Sequence, residues 1–135
     1  MDNKKYPYAD ITEKIIGCAM KVHNKLRNGF QEVIYQRALA IEMRKADLNF
    51  QREFEMDIYY DDEVIGKRRV DFFVEDKIMV EIKALSELDN TQPAQTINYL
   101  EAFNVEIGLL LNFGAESLQF RRFINNKYRK PIVKI

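Results

Sequence analysis

Apolar positions along the chain recur at two different periods, and each change of period marks a new element. From Asp10, the residues Ile11, Ile15, Cys18, Ala19, Val22 and Leu26 return at helical spacing. Asp10 with Glu13 resembles a capping box, and Asn28-Gly29 suits a helix stop. A second helix is predicted over about 30–45, with Phe30, Val33, Ile34, Ala38 and Ile41 toward the core. Phe54, Met56, Ile58 and Tyr60 then alternate with polar neighbours, as in a half-buried strand, before a turn at Asp61-Asp62-Glu63. Val64 leads through Gly66 into two further apolar runs, Val70 to Val74 and Ile78 to Ala84, separated by Glu75-Asp76-Lys77. They read as a β-hairpin, so three consecutive antiparallel strands are expected.

After a polar connector from Leu85 to Asn90, a third helix is capped by Asn90 or Thr91 and tolerates Pro93 in its first turn. Ile97, Leu100 and Phe103 mark its buried side. Val105 to Leu111 reads as a strand buried on both faces, Gly114-Ala115 as a turn, and Leu118, Phe120 and Ile124 as part of a final strand. The prediction is one α/β domain of the α+β kind over 1–135, with residues 1–9 as a flexible arm and 125–135 as a basic tail.

Charges interrupt the central hairpin. Side chains alternate faces along a strand, so Glu81 and Lys83 share one face while Ile78, Val80 and Ile82 take the other. A three-residue turn at 75–77 pairs Val74 with Ile78 and sets Asp71 opposite Glu81. At about 5 Å and an effective dielectric near 20, two facing carboxylates repel by roughly 3 kcal/mol. A divalent cation would relieve this, and Lys83 would steady a phosphate or an attacking water. The plainer alternative is a solvated strand face with an ordinary Glu81–Lys83 ion pair.

Composition narrows the classes. The chain has 135 residues, 47% of them hydrophobic, enough for a core. With 21 basic and 21 acidic residues, no overall field draws it to nucleic acid or membrane. A local patch must hold any polyanion, and the segment from Arg121 offers Arg121, Arg122, Lys127, Arg129, Lys130 and Lys134 with no acidic residue. Cys18 is the single cysteine and His23 the single histidine; both read as packed helix residues. The first residues lack a signal-peptide core and no run reaches membrane-spanning length, so a cytoplasmic setting is expected.

Asp71, Glu81 and Lys83, placed on consecutive strands after two helices, resemble the signature of the PD-(D/E)xK nuclease superfamily. Gly29-Phe30-Gln31-Glu32-Val33-Ile34-Tyr35 is similar to the motif of the bacterial GxxExxY family, and Gln95 to Tyr99 looks like the Gln-x-x-x-Tyr element of RecB-type exonucleases. The resemblance covers roughly 10–125. It implies a restriction-endonuclease-like core, in which a central mixed sheet with an antiparallel three-strand meander is flanked by helices. It further implies Mg²⁺ (or Mn²⁺) held by Glu32, Asp71 and Glu81, Lys83 acting on the nucleophile, Gln95 and Tyr99 on the substrate strand, and DNA as the expected partner. Val70 stands where the superfamily commonly has proline. Two functions are therefore carried forward: a metal-dependent nuclease, or a catalytically idle nuclease-fold module that binds nucleic acid or a protein partner. Dimerisation would widen the binding surface of either.

Overall fold

The computed structural model describes residues 6–131. Most of the expected arm and the end of the basic tail, including Lys134, lie outside them. Among the described residues, three helices and five strands follow in the order α1 (Ala9–Leu26), α2 (Glu32–Lys45), β1 (Phe50–Tyr60), β2 (Glu63–Val74), β3 (Ile78–Lys83), α3 (Thr91–Phe103), β4 (Ile107–Asn112) and β5 (Gln119–Ile124). The strands form one mixed sheet in sequential order β1-β2-β3-β4-β5. Pairing is antiparallel except between β3 and β4, which are parallel because α3 carries the chain back between them.

Helices cover both faces. Ile15, Ile16, Cys18, Ala19 and Val22 of α1 and Tyr35, Leu39, Ala40 and Met43 of α2 pack on Phe72, Val74, Ile78, Val80 and Ile82. Leu100 of α3 closes the other face over Val70, Met79, Leu110 and Phe123. β4 is buried throughout, as its uninterrupted apolar run predicts.

The β1–β2 ribbon serves both layers. Pairing runs from Phe50↔Val74 to Arg52↔Phe72 and resumes at Phe54↔Val70, with Glu53 between them in the left-handed region at φ 53°. Across this irregularity Phe50 and Phe72 face the α1–α2 layer, whereas Phe54 and Val70 face α3. Residues two apart in a regular strand would share a face. The turn of the backbone at Glu53 hands the ribbon from one layer to the other.

Three expectations need correction. Helix α1 starts at Ala9 after Tyr8, with no side-chain cap, so the Asp10–Glu13 capping box is not formed. On α2 the core face is Tyr35, Gln36, Leu39, Ala40 and Met43, while Phe30, Ile34 and Ile41 are exposed. Apolar residues lie on both sides of this helix, so periodicity alone chose the wrong stripe. Ile97 is likewise exposed, and Pro93, Thr96 and Leu100 form the buried side of α3.

The segment after β5 docks on α3. Asn125 donates to the carbonyls of Leu100 (3.0 Å) and Val105 (3.1 Å), Lys127 pairs with Glu101 at 3.4 Å, and Asn104 exchanges hydrogen bonds with the backbone of Arg129.

Candidate active site

The site forms where β2 and β3 part. Their ladder pairs Val74↔Ile78, Phe73↔Met79 and Phe72↔Val80, in the register the turn length predicts, and then stops. One residue on, the Ile82 N–H donates to Asp71 Oδ2 at 2.8 Å. A side-chain carboxylate thus satisfies a buried amide that lacks a β2 carbonyl. Asp71 and Glu81 therefore meet at the fork of the sheet instead of as a backbone pair.

Asp71 is held from a second side. Gln36, 5% exposed on the core face of α2, donates from Nε2 to Asp71 Oδ1 at 2.9 Å. Its Oε1 is buried with no hydrogen-bond partner. Gln36 lies one helical turn after Glu32, which puts both on one side of α2. No motif marks Gln36 in the sequence; its spacing from Glu32 is the one signal there.

Glu81 is 4% exposed. Burial, then the Asp71 charge and a hydrogen bond between the two side chains, push its pKa up to about 8, against the lowering influence of Arg68 and Lys83. Arg68 reaches Glu81 Oε1 with Nη2 at 3.4 Å, and its guanidinium carbon lies 4.5 Å from the ring centre of Tyr99. Tyr99 in turn stacks on Phe103, 5.7 Å between ring centres. Arg68, like Gln36, borders the site without a sequence motif to mark it.

Glu32 opens α2 and reaches solvent. Desolvation raises its pKa, the Lys83 charge opposes the rise, and the Asp71 charge adds to it. Glu32, Asp71, Glu81 and Lys83 therefore share one electrostatic neighbourhood. Tyr35 fixes the approach to Glu32. Its hydroxyl donates to Arg27 O at 2.6 Å and accepts from Phe30 N–H at 3.1 Å, while its ring stacks on Phe113 at 4.8 Å. Gly29, at φ 116°, supplies a backbone turn that other residues rarely adopt.

Lys83 ends β3, and the chain beyond it is clamped. Asn112 accepts from Leu85 N–H at 2.8 Å and donates to Leu85 O at 2.9 Å. At Gly114 a Cβ would fall 2.4 Å from the backbone of Ala84 and Leu85, so only glycine fits there. Of the two expected substrate residues, Tyr99 borders the site through Arg68, whereas Gln95 is exposed one turn earlier on α3. His23 donates from Nε2 to Ala115 O at 3.0 Å, tying α1 to the turn after β4. Cys18 is buried, and burial raises its thiol pKa.

Among the described residues, no three His, Cys, Asp or Glu side chains stand close enough to form a ready-made metal cluster. The donor chemistry nevertheless fits a hard divalent cation. Asp71 and Glu81 meet in the fork, Glu32 feels the Asp71 charge without closing a three-ligand group, and Mg²⁺ needs only one or two carboxylates besides water and phosphate oxygens.

A family model for the PD-(D/E)XK nuclease superfamily matches residues 9–123. No curated protein matches the chain. Among solved structures, the crystal structure of SSO0001 is similar with a TM-score of 0.56 and 22% identity, over 70% of this chain and 50% of that one. The present chain thus spans about half the length of that protein, and the likeness shows a shared fold.

Proposed function

The chain belongs to the PD-(D/E)XK nuclease superfamily, and on that premise we propose that it hydrolyses phosphodiester bonds in DNA with the help of Mg²⁺ or Mn²⁺. The observation that carries this reading is the gathering of Asp71, Glu81 and Lys83 at the fork of the sheet, in one field with Glu32. Asp71 and Glu81 would hold the cation, with Glu32 beside them. When bound, such an ion supplies Lewis acidity to a phosphate oxygen and makes water more acidic. Lys83 orients the attacking water or offsets charge developing on the phosphorus oxygens. Tyr99 lines the approach for the strand, with Gln95 one turn away on the same helix. The segment Gly29 to Tyr35, with Tyr35 bracing the loop before Glu32, supports reading the chain as a GxxExxY member.

Incubation with single- and double-stranded DNA tests the proposal. Cleavage is expected with Mg²⁺ or Mn²⁺, absent with EDTA, and reduced at least about 100-fold in Asp71→Asn, Glu81→Gln and Lys83→Met. Cleavage that survives these substitutions, or none by the wild type, would discard the nuclease reading. DNA binding without metal binding would instead favour the idle binding module.

A further inference from the structure

We infer that Arg68 is a phosphate-binding residue of this site, parked on Glu81 and Tyr99 until a nucleic-acid strand arrives; the inference rests on the nuclease reading above. The guanidinium is poorly satisfied where it stands. It makes one long contact to Glu81, 3.4 Å from a single nitrogen, and rests against the Tyr99 ring at 4.5 Å. Its Nε is buried with no hydrogen-bond partner. Arginine presents five donors in a planar fork matched to the paired oxygens of a carboxylate or phosphate, and here that fork is largely unfilled.

Position supports the same conclusion. Arg68 lies three residues before Asp71 on β2 and bridges to α3, so it spans the mouth of the fork between the carboxylates and Tyr99. About a third of its side chain, 32%, remains exposed, which leaves an approach for an anion. An anion bound there would lie beside Glu81, at the fork where the proposed reaction needs a scissile phosphodiester. Arg69, next in sequence, serves as a control. Its side chain is 62% exposed and pairs with Glu53 at 3.9 Å, so it shares the strand and the charge but not the site.

The test is fluorescence anisotropy with a labelled single-stranded DNA oligonucleotide in EDTA over a range of KCl concentrations, alongside Mn²⁺ titration by calorimetry. Arg68→Met is expected to weaken DNA binding roughly tenfold or more and to lower the slope of log K against log salt by about 0.7, one phosphate contact. Its Mn²⁺ affinity should hold or rise, since a competing cation has gone. Arg69→Met should change DNA binding less than about twofold. Arg68→Lys should keep the slope while losing part of the affinity, and it carries the test if Arg68→Met does not fold. Unchanged DNA binding in Arg68→Met, wild-type affinity in Arg68→Lys, or a joint fall in DNA and Mn²⁺ affinity would overturn the inference, the last by making Arg68 a prop for Glu81. Failure of the wild type to bind either DNA or Mn²⁺ would overturn the nuclease reading, and this inference with it.

Discussion

Gln36 donates a 2.9 Å hydrogen bond from the buried face of α2 to Asp71 Oδ1, while the other oxygen of the same carboxylate accepts from Ile82 N–H at 2.8 Å. Asp71 is thereby fixed from the helix and from β3. Outer partners of this kind typically change metal affinity by about 10–100-fold. Gln36→Met keeps the volume and removes both the hydrogen bond and the unpartnered Oε1. The expected outcome is Mn²⁺ affinity lowered about 10–100-fold with a melting temperature changed by only a few degrees, read by calorimetry and thermal denaturation.

Glu81 gives the metal-free protein a pH signature. Its folded pKa, raised to about 8 chiefly by burial, exceeds the unfolded value near 4.3. Relative to the charged form, the stabilising contribution is complete below the unfolded value and is lost as pH rises through about 8. Chemical denaturation in EDTA should find the wild type losing stability from pH 5 to pH 9 by an amount on the order of a few kcal/mol. Glu81→Gln should flatten most of that slope and be the more stable protein at pH 9.

Tyr35 ties the Arg27–Phe30 loop to the core through a single hydroxyl. Tyr35→Phe retains the stack on Phe113 but leaves a carbonyl and an amide without their partner. A loss of about 1–3 kcal/mol is expected from urea denaturation. Faster hydrogen exchange at the Phe30 amide should accompany it, and cleavage activity should fall because the loop before Glu32 is looser.

Gly114→Ala tests the clamp behind Lys83. The new methyl would have to displace the backbone of Ala84 and Leu85. Destabilisation of about 3 kcal/mol or more is expected, and a stable variant with unchanged activity would show that this approach is not needed to seat Lys83.

The hairpin was legible because period-two alternation and a three-residue turn fix its register, and Val74↔Ile78 through Phe72↔Val80 follow from that count. The next step was not legible. Repulsion between Asp71 and Glu81 could be foreseen, but not that the strands would separate there and give Ile82 N–H to a carboxylate. The α2 stripe misled because Phe30, Ile34 and Ile41 are as apolar as the residues that are buried, and only packing against the sheet selects between them. That same error concealed Gln36, a polar residue on the core face. Arg68 was hidden among Lys67, Arg68 and Arg69, three basic neighbours that pair with different acidic residues: Lys67 with Glu55 and Asp57, Arg68 with Glu81, and Arg69 with Glu53.

The left-handed backbone at Glu53 makes one pair of strands a stakeholder in both halves of the interior. Releasing Phe50 and Phe72 should therefore drag Phe54 and Val70 with them, which couples the melting of the two halves. The protein should accordingly come apart in a single concerted event, with amides beneath α1 and α2 losing protection together with those beneath α3.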